Sequence, residues 1–319
     1  MNKELEIWQF AARKLRRNES VMLLVVAESS GSSPGRQGFK MIVAESEMRG
    51  SVGGGVMEVK LVEKAKSQIA NRKSQIIEQV HQKNSLAASG MICSGRQTVI
   101  FYRLDSSDLK TVCAIIRALR NYQPKILEIS NLEFEILDYQ AEDFDFKFKQ
   151  SGKQDFLYQE KLGFKNRLFI VGGGHCALAL SELMSKMDFH ITLFDDRPNL
   201  NTLEKNEFVH AKQIVDSYAQ IDEFIPAGAS HFVVVMTLGY RSDEIVIRKL
   251  IDKNFKYFGV LGSAGKMATL LKNLRKENFP EEKLNRIHAP IGLPINSRTP
   301  EEIAVSIAAE IIRVKNEAA

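Results

Sequence analysis

The order of apolar and polar positions divides the chain into successive elements. Leu5, Trp8, Ala12 and Leu15 recur at helical spacing, so residues 4–17 are predicted to form an amphipathic helix. Residues 21–26 are an unbroken apolar run rich in β-branched side chains, the pattern of a strand buried on both faces. Residues 29–38 are dominated by Ser and Gly, with Pro34 and Arg36 among them, and read as a loop. A second strand is predicted over 40–44 and a glycine-rich turn over 50–55. From Met57 to about Ile77 the pattern is helical, with Val59, Val62, Ala65 and Ile69 on one face. A loop over 91–95, a strand over 97–104 and a helix over 109–120 follow. Residues 121–163 change character: charges and aromatics mix in EFEILDYQAEDFDFKFKQ, which suggests one or two edge strands or hairpins bridging two domains.

Beyond Arg167 strands and helices alternate. Strands are predicted over 168–171, 190–194, 231–236 and 257–260, and helices over 176–187, 242–253 and 266–277. The last helix has a start signal of its own. Thr299 fits an N-cap, Pro300 the first helical position, and Glu302 the third position that a capping box requires. Strands separated by crossover helices make a mostly parallel sheet with helices on both faces. The expected fold is therefore α/β, with a C-terminal parallel domain over 164–319, a bridging segment over 121–163 and a smaller N-terminal α/β domain over 1–120.

Composition narrows the function classes. Lys and Arg exceed Asp and Glu by five, yet no basic run interleaves with aromatics, so nucleic acid is not an expected partner. The cysteines, Cys93, Cys113 and Cys176, are too few and scattered for a disulfide framework or a C-x-x-C zinc pair. Free thiols suit a reducing compartment. The N-terminus lacks the apolar core of a signal peptide, and no apolar stretch approaches the roughly 20 residues that span a bilayer. A cytoplasmic protein without membrane segments is the expectation.

One motif carries specific chemistry. FIVGGGHCA fits G-x-G-x-x-A directly after a strand and at the start of a helix. Gly172 permits the tight turn, Gly174 lets backbone approach a phosphate, and Ala177 allows close helix–strand packing, with Gly173 and His175 between them. Exposed amides and the helix dipole then favour anionic groups, which makes the parallel domain Rossmann-like. About twenty residues on, the next strand ends in Asp195 and Asp196. Carboxylates there suit a ribose 2′-hydroxyl and so NAD, although Arg197 leaves NADP open. The competing reading is a glycine turn kept for packing. Three further loops are expected at the carboxyl edge of the sheet, around Thr237, Gly262 and His288. Gly262 and Ser263, with Lys266 nearby, read either as a second anion cradle or as an ordinary strand-to-helix turn.

Several motifs then coincide in one order: GSSPGRQGFKMIV, GSVGGGVME, GMICSG, FIVGGGHCALAL, LFDDRP, GVLGSAGK and APIGLPINSRTPEEIAVSIAAEI. Together they resemble the XdhC/CoxI family of maturation factors for xanthine dehydrogenase-type molybdenum hydroxylases, across roughly residues 20–104 and 166–315. The resemblance implies a factor that binds the molybdenum cofactor, as molybdopterin or its dinucleotide, holds it during sulfuration and delivers it to the apo-hydroxylase. A cysteine desulfurase partner and a homodimer are implied with it. It assigns the anionic end of the cofactor to backbone amides of the N-terminal glycine loops, including Gly53, Gly54 and Gly55, with Arg36 as a bidentate phosphate contact. Cys93 aligns with a family cysteine, and a thiolate there suits molybdenum or the sulfur being transferred. A small buried residue ahead of a strand is its alternative. The chain departs from the family pattern at Ser94, at Val56 and at Leu238, where relatives carry glycine, cysteine and histidine.

Two other classes stay open. An NAD(P)-dependent oxidoreductase would need an acid or base near the nicotinamide, for which His175, His210, His231 and His288 are candidates by type alone. A nucleotide-sensing protein would use the 172–177 turn and be indifferent to Cys93.

Overall fold

In the computed structural model, which describes residues 3–70, 74–81, 95–139, 144–152 and 155–317, the chain divides into two compact units, Met1–Gly163 and Phe164–Ala319. In the first unit, helix α1 (Lys3–Leu15) leads into β1 (Val21–Gly31), β2 (Lys40–Val43), β3 (Met48–Gly50), α2 (Gly55–Gln68), β4 (Gln75–His81), β5 (Gly95–Leu104) and α3 (Leu109–Arg120). The five strands form one sheet of order β3-β2-β1-β5-β4, antiparallel at each neighbouring pair.

The apolar run of β1 is buried on both faces, and its alternate residues separate two cores. Leu23, Val25 and Ala27 pack with Trp8, Phe10, Ile115 and Leu119 from α1 and α3. Met22, Leu24 and Val26 pack with Leu61, Val62 and Ala65 from α2. An antiparallel sheet thus shows an unbroken apolar strand because helices cover both sides.

Two expectations are corrected here. The helix foreseen from Met57 to Ile77 ends at Gln68, and Ile76 and Ile77 instead pair with Ile100 and Val99 in the β4–β5 ladder. β-Branched side chains favour a half-buried pleated position over a helix. Nor is 121–163 a bridge. It folds as β6 (Lys125–Ser130), β7 (Phe134–Asp138), β8 (Phe146–Gln150) and β9 (Phe156–Leu162), a four-stranded sheet of order β7-β6-β9-β8. Leu127, Ile129, Phe134, Phe156, Tyr158 and Leu162 join the core beneath α1 and α3. Lys40 of β2 and Glu160 of β9 form a buried ion pair 2.6 Å long, and Glu4 of α1 approaches the same ammonium at 2.9 Å. Burial alone would lower the Lys40 pKa, but Glu160 and Glu4 outweigh it and raise the value.

The second unit runs β10 (Asn166–Val171), α4 (His175–Met184), β11 (Phe189–Asp195), α5 (Asn201–Glu204), β12 (Ala211–Ile214), α6 (Ile221–Phe224), β13 (Gly228–Val235), α7 (Tyr240–Leu250), β14 (Phe255–Val260), α8 (Ala264–Lys276), α9 (Glu281–Leu284), β15 (Ile287–His288) and α10 (Pro300–Asn316). Its six strands are parallel throughout, in the order β12-β11-β10-β13-β14-β15. Leu168 and Ile170 face α4 and α10, while Phe169 and Val171 face α7 and α8. The Thr299 capping box forms as the sequence foretells, with Glu302 N–H on the Thr299 hydroxyl and the Glu302 carboxylate on Thr299 N–H. Strand order reverses at β10, so the chain leaves β10 and β13 in opposite directions, and the crevice between their carboxyl ends is the place for a ligand. Among the described residues, no helix is long and apolar enough to cross a membrane.

Candidate functional site at two glycine loops

β10 ends at Val171 and the chain turns through Gly172. That residue adopts a φ of +107°, and a Cβ on it would lie 2.3 Å from the Met236 carbonyl oxygen at the end of β13. Only glycine fits the turn. The turn is tied to both neighbouring strands: Gly172 N–H donates to Phe194 O and Met236 N–H to Val171 O, each at 2.8 Å.

Gly173 is braced from beneath. Its N–H donates to the Asp195 carboxylate at 2.6 Å, and the Thr202 hydroxyl donates to its carbonyl at 2.5 Å. Asp195 has no exposed side-chain surface and also accepts from Arg197, through the backbone N–H at 2.9 Å and through Nε and Nη2 at 2.8 Å each. Burial alone would raise its pKa; the Arg197 side chain and the Gly173 and Arg197 amides outweigh that and lower it. A ribose hydroxyl therefore finds the Asp195 carboxylate inside the protein's own turn. Asp196, exposed beside it, is the accessible acid at that strand end.

Above this brace the turn is open. Gly174 is the N-cap of α4, no side chain caps the helix, and a Cβ on Gly174 would meet nothing within 4 Å. The first helical donor is Leu178 N–H, bonded to Gly174 O at 3.1 Å. The amides of Gly174, His175 and Cys176 thus precede the helical ladder at its positive end, the arrangement that holds a phosphate. Ala177 is fully buried against the sheet, and His175 is exposed at the helix start. Burial raises the Cys176 pKa, and Glu301 raises it further.

Thr237 lies against the same turn, since a Cβ on Gly172 would come within 2.8 Å of its Cα. Its hydroxyl and N–H both donate to Asp243 of α7, at 2.6 and 3.1 Å, and Lys266 of α8 reaches the other oxygen of that buried carboxylate at 2.8 Å. Three loop-to-helix junctions are thereby linked. At Gly262 and Ser263, read either as an anion cradle or as an ordinary turn, Ser263 caps α8 by accepting from Lys266 N–H at 3.3 Å. Leu238, where relatives carry histidine, is 83% exposed.

The first unit has a second glycine loop. A Cβ on Gly53, at φ +131°, would lie 2.5 Å from Gly35 N, so this loop packs directly on the segment that carries Arg36. Buried Gln97 joins the two loops, donating to Val52 O at 2.8 Å and accepting from the Ser33 hydroxyl at 3.0 Å. Arg36 is exposed. The loop closes on its own anion. Glu58 accepts from the Ser51 hydroxyl at 2.6 Å, from Val52 N–H at 2.8 Å and from Gly54 N–H at 2.9 Å. Burial would raise the Glu58 pKa, but the Ser51 hydroxyl and the amides of Gly54, Val52 and Gly53 lower it on balance. Gly55 begins α2 at φ +69° with open space around it. Cys93 lies outside the described residues.

The histidines separate by position. His210 accepts the Ile191 N–H at 2.9 Å and His231 contacts Pro226 O at 2.8 Å, both toward the amino ends of the strands. Burial lowers the His210 pKa to about 4. His288 meets Glu310 at 3.3 Å under β14. Of the four, His175 stands at the glycine turn. Sequence reasoning passed over Glu58, Thr202, Asp243 and Gln97. A carboxylate in the first turn after a glycine-rich loop is a helix-start signal, and both Glu58 and Asp243 occupy that position.

These features define a Rossmann-type parallel domain whose glycine turn opens at the strand-order reversal, joined to an antiparallel domain with its own glycine loop. Residues 168–311 match the family profile described as the XdhC Rossmann domain, and residues 14–81 match that of the XdhC and CoxI family. The chain belongs to the XdhC and CoxI family. It is 24% identical over 318 residues, 98% of its length and 47% of the relative's, to a protein of Escherichia coli strain K12 named Uncharacterized protein YqeB. It is 30% identical over 167 residues, 51% of its length and 47% of the relative's, to a protein of Bacillus subtilis strain 168 named as a probable xanthine dehydrogenase subunit. The matches thus cover about half the length of each curated relative. A crystal structure titled as a xanthine dehydrogenase from Bacillus halodurans superposes with a TM-score of 0.74 at 20% identity, covering 100% of this chain and 97% of that one. That likeness speaks for the fold.

Proposed function

We propose that the protein is an accessory factor in the maturation of a xanthine dehydrogenase-type molybdenum hydroxylase, and that it holds the molybdenum cofactor by its anionic end at the Gly172–Ala177 turn. The observation that carries the reading is the uncapped start of α4. Gly174, His175 and Cys176 offer amides there, and the space above Gly174 is clear. The fit is chemical: a phosphate or pyrophosphate is the group such amides stabilise. Thr237 borders the turn, while Asp195 fixes the loop instead of touching the ligand. When bound, the cofactor supplies a dithiolene-held molybdenum; the chain's part is to bind the phosphate end and keep the group from solvent. Cys93 is assigned to the metal end on the family resemblance. The apo-hydroxylase and a cysteine desulfurase are the partners of this reading, and a homodimer its assembly. NAD(P) is the competing ligand for the same turn, and its nearest accessible acid is Asp196.

The test is equilibrium binding of molybdenum cofactor to the purified protein under anaerobic, reducing conditions with NAD as competitor, followed by transfer to an apo-hydroxylase. Binding that NAD displaces poorly, that weakens in Gly174→Asp and that restores hydroxylase activity supports the proposal. NAD binding without cofactor binding would overturn it.

A further inference from the structure

In the first unit, α1 and α3 flank an open cleft of about 650 Å³. Arg13 enters it from α1, Arg16 from the turn that follows, and Arg117 and Arg120 from α3, with Cys113 and Ile116 between them. Arg117 and Arg120 are three residues apart and therefore share a helix face. No carboxylate lines the cleft, and among the described residues none of the four guanidiniums has an acidic partner. Some arginines of the chain are paired, Arg103 with Asp105, Arg197 with Asp195, and Arg248 with Glu244 and Glu277. Cys113 is half-buried in this cleft, where Arg16 Nη2 lies 3.8 Å from its sulfur.

Basic residues in a last helical turn complement the helix dipole. That accounts for their place along α1 and α3 but not for their convergence on one concave surface, where like charges repel. The concavity has the size of a small-molecule pocket, in the range of about 300–1,000 Å³. Guanidinium groups bind phosphates through paired hydrogen bonds and stack on flat rings. Ile116 adds apolar surface, and Gln9 and Asn121 add amides able to meet a heterocycle's edge.

We propose that this cleft binds a small molecule of the nucleoside diphosphate class, its phosphates among the four arginines and its ring against Ile116. The site uses first-unit residues alone and does not depend on the cofactor reading of the glycine turn.

Cys113 supplies a local readout. The full-length protein is titrated with ADP while iodoacetamide labels its thiols, and peptide mass spectrometry separates Cys113 from Cys93 and Cys176. Inorganic pyrophosphate is the parallel probe. Arg16 is left unchanged because it touches the sulfur. We expect ADP to slow Cys113 labelling at least fivefold at saturation, with pyrophosphate acting at higher concentration. Arg13→Ala with Arg117→Ala should raise the ADP concentration required at least tenfold at unchanged circular dichroism, and Gly174→Asp should leave it unchanged. Arg13→Lys with Arg117→Lys keeps the charge and should still weaken protection several-fold, which serves if the alanine variant does not fold. Absence of ADP protection, protection by pyrophosphate alone, or protection that survives the arginine substitutions in a folded protein would each overturn the assignment.

Discussion

The two glycine loops solve one problem in different ways. Each gathers backbone amides into a concavity that attracts negative charge, and each contains a carboxylate of the chain itself. In the second unit Asp195 sits under the turn, takes only the Gly173 amide of that turn and is locked by Arg197, so the start of α4 is left without a side-chain cap. In the first unit Glu58 reaches into the loop from the first turn of α2 and takes the Val52 and Gly54 amides itself, with the Ser51 hydroxyl besides. The first arrangement stiffens a loop and leaves its anion site free. The second fills the site. An anion nest read from glycines alone does not distinguish these cases; the position of the nearest carboxylate does.

The largest expected effect lies in the turn that Asp195 braces. Gly172→Ala forces a side chain into the left-handed region and against the Met236 carbonyl, backbone that cannot swing aside. The conformational cost of about 1–2 kcal/mol and an overpacking cost of about 1–3 kcal/mol give roughly 2–5 kcal/mol of destabilisation. Urea unfolding followed by far-UV circular dichroism measures it. A loss below about 1 kcal/mol would mean that the turn relaxes easily and that its geometry is not what keeps the site open.

Asp195→Asn comes next. It keeps the shape but removes the anion that orders Gly173 and Arg197, a loss of about 2–3 kcal/mol for a buried charged partner. The pH dependence has a definite sign. The folded-state pKa of Asp195 is depressed, so its contribution is fully present above the unfolded carboxylate value of about 4 and is lost as pH falls through the lower folded value. Wild-type stability should drop over that acid range, and Asp195→Asn should show a shallower drop. Equal slopes would remove Asp195 from the role of brace.

How much of this is legible in the sequence follows from the range of each interaction. β1, β10, α3 and the Thr299 capping box rest on contiguous patterns, and the sequence foretells them. β4 continues a helical pattern in the sequence, because its register comes from β5, whose partner residues lie 14 to 26 positions away. The sheet over 125–162 reads as a bridge because its apolar face matters only once α1 and α3 cover it. Gly172, Gly174 and Ala177 can be named from spacing. That Asp195 turns inward depends on Arg197 and the Gly173 amide, and no motif carries that information.

A smaller effect is expected at the other loop. Glu58→Gln keeps one acceptor oxygen and loses the charge, a change of about 1 kcal/mol. Because Trp8 is the sole tryptophan and belongs to the first unit's core, its fluorescence reports that unit's unfolding. Glu58→Ala should also empty the nest and allow inorganic phosphate to bind there, detectable by calorimetry. If neither variant takes up phosphate, the amides around Glu58 are arranged for the helix start alone, and the two loops are less alike than their glycines suggest.

The smallest effect on stability, and the most informative for the comparison, is Gly174→Ala. Gly174 has a φ of −69°, which any residue adopts, and the space around its missing side chain is empty. Replacing glycine by alanine at an N-cap costs about 0.5 kcal/mol, so unfolding should barely change. The same methyl group stands where an anion would approach the amides of α4, and binding at the turn should weaken at least tenfold. Gly172→Ala, by contrast, should reduce stability and binding together. A Gly174→Ala protein with unaltered stability and unaltered binding would mean that the open amides of α4 are not the contact surface, and the ligand would have to be sought along the Thr237–Asp243–Lys266 side of the crevice.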